Sequence, residues 1–288
     1  MILINESAYF TNKQKEDSFL LMQQHMKGRF FIGRLSGNET RLTGLVLNNK
    51  PIENKLIQNM LYVAGIQFKT KEDMKTYIKL YNTSCKNTTL LGVWDGSMYN
   101  QAIDYYNFIN KAYSIKQICA HAVEPYYYMN DSYIFPSLFI NKKVLIITSH
   151  YETTNKQIKK QMIPFTKPIF HETTEYYIYK PPQQNGGSHD NESWIVHYEK
   201  MKEDIVKIKT EFNFNIALVS CGGFGMIISD YIFSLGSNVM YVGGALQLFF
   251  GIMGSRWENS IKTNEMWTRP CILDIPKNPE LCENKCYW

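Results

Sequence analysis

The 288-residue sequence has no uninterrupted apolar run long enough to cross a bilayer. A spanning helix needs roughly 20 consecutive apolar residues. The nearest candidate, residues 239–257 (VMYVGGALQLFFGIMGSRW), is broken by Gly243, Gly244, Gln247, Gly251 and Gly254. Also absent is the GxxxxGK signature of a P-loop, which sets an ATPase reading aside. The dinucleotide fingerprint fails as well. It wants three spaced glycines and an acidic residue at the next strand end, about 20 residues on. Here CGGFG has the wrong spacing, and the next strand ends in Gly243-Gly244. The charge excess is small, a net +5 with dispersed basic residues, so no stripe marks a nucleic-acid partner. Six cysteines are scattered without the pattern of a disulfide scaffold, which points to a reducing, cytoplasmic compartment. Of these, Cys271, Cys282 and Cys286 lack a fourth ligand at zinc spacing. The opening MILINESAYFTNKQK lacks the basic region and apolar run of a signal peptide.

What is present is alternation. Apolar, β-rich runs at residues 30–34, 88–93, 143–148, 215–220 and 239–242 predict strands. Between or after them, residues 39–47, 97–112, 154–162, 194–212 and 226–235 predict helices, and residues 245–250 a helix start. Gly236 is placed to end the helix before it. The segment PPQQNGGSHDN, residues 181–191, reads as a mobile loop. Strands alternating with helices imply an α/β, Rossmann-like fold, a mostly parallel sheet with helices on both faces. The expected organisation is one domain over residues 1–288, with residues 181–191 as the place where halves 1–180 and 192–288 would join.

In such sheets ligands bind at the carboxyl ends of the strands. Gly222, Gly223 and Gly225 in CGGFG lead into a helix, whose N-terminal amides can receive phosphate oxygens; the alternative is a tight turn that only needs glycine. In GRLSGNE, Arg34 can clamp a diphosphate, Ser36 adds a hydroxyl, and Glu39 can act as a base or metal ligand. Glu39 equally suits a helix N-terminus. Asp95 in WDG is either an N-cap or a ligand contact. Gly243, Gly244, Gln247 and Arg256 complete the donor-side candidates, and Glu124 to Tyr128 (EPYYY) offers stacking rings.

The string FNFNIALVSCGGFGMIISDYIFSLGSNVMYVGGALQLFFGIMGSRW, with NEMWTRP and a terminal CYW, resembles the C-terminal half of glycosyltransferases of the GT-D fold. KKVLIITSHYETTNKQI and FIGRLSGNE fall where that family has its other strand-end motifs. The resemblance implies a nucleotide-sugar donor, uridine diphosphate-linked for preference, and a glycan or other hydroxyl acceptor. It also implies a catalytic role for Glu39, with Asp95 as the second catalytic candidate from the strand-end residues. The family carries an Asp-x-Glu element in the first strand-end loop; Glu39 matches the glutamate, but Gly37 stands at the aspartate. One carboxylate is a poor Mg²⁺ or Mn²⁺ site unless Asp95, Glu124 or the substrate adds oxygens. A weak or absent divalent-metal requirement is therefore expected, and a non-catalytic nucleotide- or glycan-binding module is the alternative reading.

Overall fold

Among the described residues, seven strands pair in the order β3-β2-β1-β7-β6-β4-β5, every pair parallel. They are β1 (Phe31–Arg34), β2 (Leu90–Val93), β3 (Gln117–Cys119), β4 (Lys143–Thr148), β5 (Glu175–Tyr179), β6 (Ile216–Ser220) and β7 (Asn238–Tyr241). The coordinates are a computed structural model that describes residues 9–160 and 163–288. The central strands are buried on both faces, as the β-branched run KVLIIT of β4 requires. This is the α/β, Rossmann-like sheet expected from the alternation.

All strands run the same way, so Arg34, Val93, Thr148 and Ser220 lie along one edge, with Tyr241 closing β7 one residue earlier than predicted. β3 and β5 were not foreseen. Helices α1 (Asn12–His25), α3 (Asn54–Tyr62) and α4 (Lys71–Lys86) were not foreseen either. The helix expected over residues 97–112 divides at Ala102 into α5 (Gly96–Gln101) and α6 (Ile103–Ala112). The one expected over residues 154–162 is α7 (Tyr151–Lys159), while Gln161 and Met162 lie outside the described residues. So do the first eight residues, where the signal-peptide reading falls. The expected helix start at residues 245–250 is a 3₁₀ segment, Gly243–Phe250, ended by Gly251 at φ 65°. No strand follows it to complete a βαβ unit.

Connections leave the sheet on both sides. α2 (Gly37–Leu47), α4, α8 (Trp194–Phe212) and α9 (Gly225–Ser234) bury Leu42, Tyr77, Ile205 and Ile228 against one face. The Gly243–Phe250 segment buries Leu246, Leu248 and Phe249 against the other, with α1 supplying Phe19 and Met22. β1 and β7 are neighbours whose following segments diverge to opposite faces, which opens a crevice between their carboxyl ends. The loop over residues 181–191 is not free. Gly186 donates its N–H to the Tyr62 carbonyl at 2.8 Å and accepts from the Asn278 amide at 2.8 Å. Among the described residues, no helix is long and apolar enough to cross a membrane.

Candidate functional site at the β1–β7 crevice

β1 delivers Arg34 to the mouth of this crevice. Its Nη1 donates to Glu124 Oε1 at 3.2 Å, and the guanidinium lies over the Trp94 ring at 5.1 Å. Trp94 is itself held by donating Nε1–H to the Leu35 carbonyl at 2.7 Å. The opposite wall is Gly243, at φ 68°; a Cβ there would come 2.0 Å from Arg34 Nη2. Only glycine satisfies both the left-handed backbone and that close approach. Arg34 Nε is buried without a hydrogen-bond partner.

Glu39 sits in the first turn of α2, three residues after Ser36 at the N-cap position, and is only 4% exposed. Burial pushes its carboxyl above the usual glutamate range. The charge of Glu283 pushes the same way; its own N–H, the Ser36 side chain and Arg34 oppose the shift. Tyr77 and Tyr81 are buried close enough for the Glu39 charge to raise them further, after burial itself. The Ser36 hydroxyl meets the Tyr81 hydroxyl at 3.4 Å and makes no bond to the helix amides. Glu39 is thus a buried carboxyl with a raised proton affinity, a setting for acid–base chemistry as well as for a helix terminus.

Several sequence candidates are occupied elsewhere. Asp95 stands at the N-cap of α5 but makes no cap bond; its Oδ2 accepts the Phe10 N–H at 2.8 Å, so it anchors the segment before α1. Glu124 accepts from Arg34 and, at 3.1 Å, from the Tyr126 hydroxyl, with His121 Nδ1 at 3.8 Å. EPYYY therefore closes the crevice wall. In the glycine loop, the amide of Gly223 donates to the Ala64 carbonyl at 2.8 Å, Phe224 to Cys221 and Gly225 to Gly222. Those amides do not face a phosphate. A Cβ on Gly222 would come 2.6 Å from the Ala64 oxygen, on Gly223 2.4 Å from Ile66, and on Gly225 2.0 Å from the Tyr241 ring. The loop is glycine-rich because two segments, residues 64–66 and β7, pack onto its backbone.

Gln247 is 1% exposed and its Nε2 donates to the Ile252 and Tyr287 carbonyls, both at 3.1 Å, so it ties those two segments together. Gly244 lies under Tyr287, whose ring would come 2.1 Å from a Cβ. Arg256 donates to the Tyr287 hydroxyl at 3.1 Å and pairs with Glu283. Sequence reasoning missed both of those residues. It also missed Asp274, wholly buried, which caps α7 from 121 residues away by accepting the Thr153 N–H at 2.8 Å and hydroxyl at 2.6 Å. Beside it, burial lowers the His150 imidazole to about 4 against the pull of Asp274. Among the described residues, no group of three or more His, Cys, Asp or Glu side chains is arranged to hold a metal ion. Cys85, Cys119, Cys221, Cys271, Cys282 and Cys286 are free thiols.

No protein-family model and no curated protein sequence matches the chain. Among solved structures it is similar to a new glycosyltransferase (DUF1792) from Streptococcus sanguinis. The TM-score is 0.44 at 11% identity, covering 83% of this chain and 82% of that one. That likeness is too distant to assign residues.

Proposed function

We propose that the protein transfers a sugar from a nucleotide-sugar donor, uridine diphosphate-linked, to the hydroxyl of a glycan or related acceptor. The observation that carries this reading is the buried Glu39 carboxyl in the first turn after β1, with the Arg34 guanidinium at the end of that strand, at the point where the connections diverge. In the reaction the bond from the anomeric carbon to the donor phosphate breaks, and the diphosphate leaves with its negative charge. The acceptor hydroxyl bonds to that carbon and gives up its proton. Arg34 and Arg256 supply positive charge for the leaving group. Glu39, with its affinity for a proton raised by burial, receives the proton from the acceptor. The Gly223, Phe224 and Gly225 amides are assigned no part, because the Ala64, Cys221 and Gly222 carbonyls already accept from them.

What supports a weak or absent requirement for Mn²⁺ or Mg²⁺ is that, among the described residues, no three His, Cys, Asp or Glu side chains are grouped to hold an ion. No step is assigned to a metal.

One observation favours the alternative of a non-catalytic nucleotide- or glycan-binding module. Glu39 is buried, and a ligand reaches it only if its cover moves. Calorimetric titration with a panel of nucleoside diphosphates at millimolar concentration, followed by donor hydrolysis without acceptor, separates the two. Binding together with hydrolysis supports the transferase. Binding without hydrolysis or transfer supports the module, and absence of binding by any nucleotide overturns both.

A further inference from the structure

Arg256 is a cation whose partner is supplied by the chain's own end. It sits in the short turn Ser255–Trp257, stacked at 4.7 Å over the Tyr287 ring, with Glu283 on its guanidinium. The Tyr287 ring that Arg256 bonds packs on Gly244, next to the Gly243 on which Arg34 packs, and Arg34 keeps an unpartnered Nε. Everything after Lys285 is firmly seated. The Cys286 carbonyl accepts the Arg256 N–H at 3.0 Å, Gln247 holds the Tyr287 carbonyl, and Trp288 Nε1 donates to the Asp274 carbonyl at 3.1 Å.

The turn that presents Glu283 is different in kind. Glu283, Asn284 and Lys285 have φ values of 49°, 53° and 63°, three successive non-glycine residues in the left-handed region. Each is disfavoured there, and such strain persists only where surrounding contacts enforce it. Glu283 is held by the Arg256 pair, with both side chains 41% exposed, and by the Cys286 thiol, 3.3 Å from its Oε2, while the Lys285 carbonyl accepts from the Ser255 hydroxyl at 3.0 Å and from the Trp288 N–H at 2.9 Å. A half-exposed ion pair is weak.

We propose that Arg256 is an anion site of the β1–β7 crevice which Glu283 closes from within, and that a diphosphate-bearing ligand displaces Glu283 by relaxing the strained turn at Glu283–Asn284–Lys285. This rests on the proposed function for the ligand's identity, while the anion site itself stands on Arg256, Glu283 and the turn. The Cys286 thiol, buried and bonded to the displaced carboxylate, is the natural reporter.

The test is the rate of iodoacetamide labelling of native protein, read by mass spectrometry at Cys286, with fully buried Cys85 as the control for global opening. Inorganic pyrophosphate should accelerate labelling of Cys286 several-fold and leave Cys85 unchanged. Glu283→Gln should label several-fold faster without any ligand and respond little to pyrophosphate. Asn284→Gly, which removes strain from the closed turn, should label more slowly than the wild type. If neither pyrophosphate nor Glu283→Gln changes the Cys286 rate, the proposal is overturned, whatever nucleotides do. If pyrophosphate opens the turn but no nucleoside diphosphate binds, the anion site is supported and the proposed function fails.

Discussion

At Glu39 two demands on one side chain oppose each other. The folded protein holds this carboxyl's proton to higher pH than the unfolded chain does, because burial disfavours the charge. The stability it contributes is complete below the ordinary glutamate range and is lost as pH rises through the raised folded value. Glu39→Gln cannot ionise, so it should be more stable than wild type at neutral pH, by a margin that shrinks toward zero as pH falls below the ordinary glutamate range. The same substitution should cut sugar transfer by about 10²-fold or more, the usual range for lost acid–base help. Melting curves from pH 4 to 8 alongside initial rates check both halves. A less stable amide at neutral pH would remove burial as the governing effect, and unchanged turnover would end the catalytic assignment. Arg34→Ala should weaken nucleoside diphosphate binding by roughly 1.5–3 kcal/mol if its bonds to the ligand are charge-assisted. Calorimetry on the folded variant decides it, with stability followed in parallel because Glu124 loses its buried partner.

Elements here are tied together by residues that look like ligand binders when read singly. The CGGFG turn between β6 and α9 is the clearest case: its glycines receive Ala64, Ile66 and the Tyr241 ring. Gly223→Ala should therefore cost about 1–3 kcal/mol of stability through overpacking against Ile66. Nucleotide affinity of the folded protein should stay unchanged. Urea unfolding and titration of one preparation test this, and intact stability with lost affinity would restore the phosphate-loop reading. α7 takes its N-terminal partner from Asp274, a carboxylate on a segment remote in sequence. Asp274→Asn keeps the size but weakens the interaction with the helix dipole, so a loss of about 0.5–2 kcal/mol is expected. Thermal melting that matches wild type would show that the cap contributes nothing.

For the molecule as a whole, the prediction concerns linkage. A ligand that binds only the folded state raises its stability, by about 2.7 kcal/mol at a hundredfold excess over Kd. Uridine diphosphate should thus raise the Tm in a concentration-dependent way, and EDTA should leave both that shift and the turnover intact. Activity abolished by EDTA and restored by Mn²⁺ would overturn the metal-independent site and require Asp95 or Glu124 to leave its present partner.

The amino-acid sequence by itself determined the class of the fold and the edge at which a site can form. Strands buried on both faces appear as unbroken apolar runs such as LIIT in β4, and long helices such as α8 appear as apolar stripes. Both signals lie between near neighbours in the chain. β3 is only three residues long and β5, EYYIY, lies at the sheet's edge half exposed, so neither carries the run of a buried strand. The apolar residues 245–250 read equally as α-helix or 3₁₀ segment, and packing onto the second face chose between them. Which polar residues share the crevice was decided only by tertiary structure. Arg34 meets Glu124, and Arg256 meets Glu283, because the sheet and the returning chain end bring them together. Asp95 and Gln247 are claimed by partners that no local pattern announces. A carboxylate or amide is chemically the same in a cap, a clamp or a catalytic site, and only the groups that fold around it determine which it becomes.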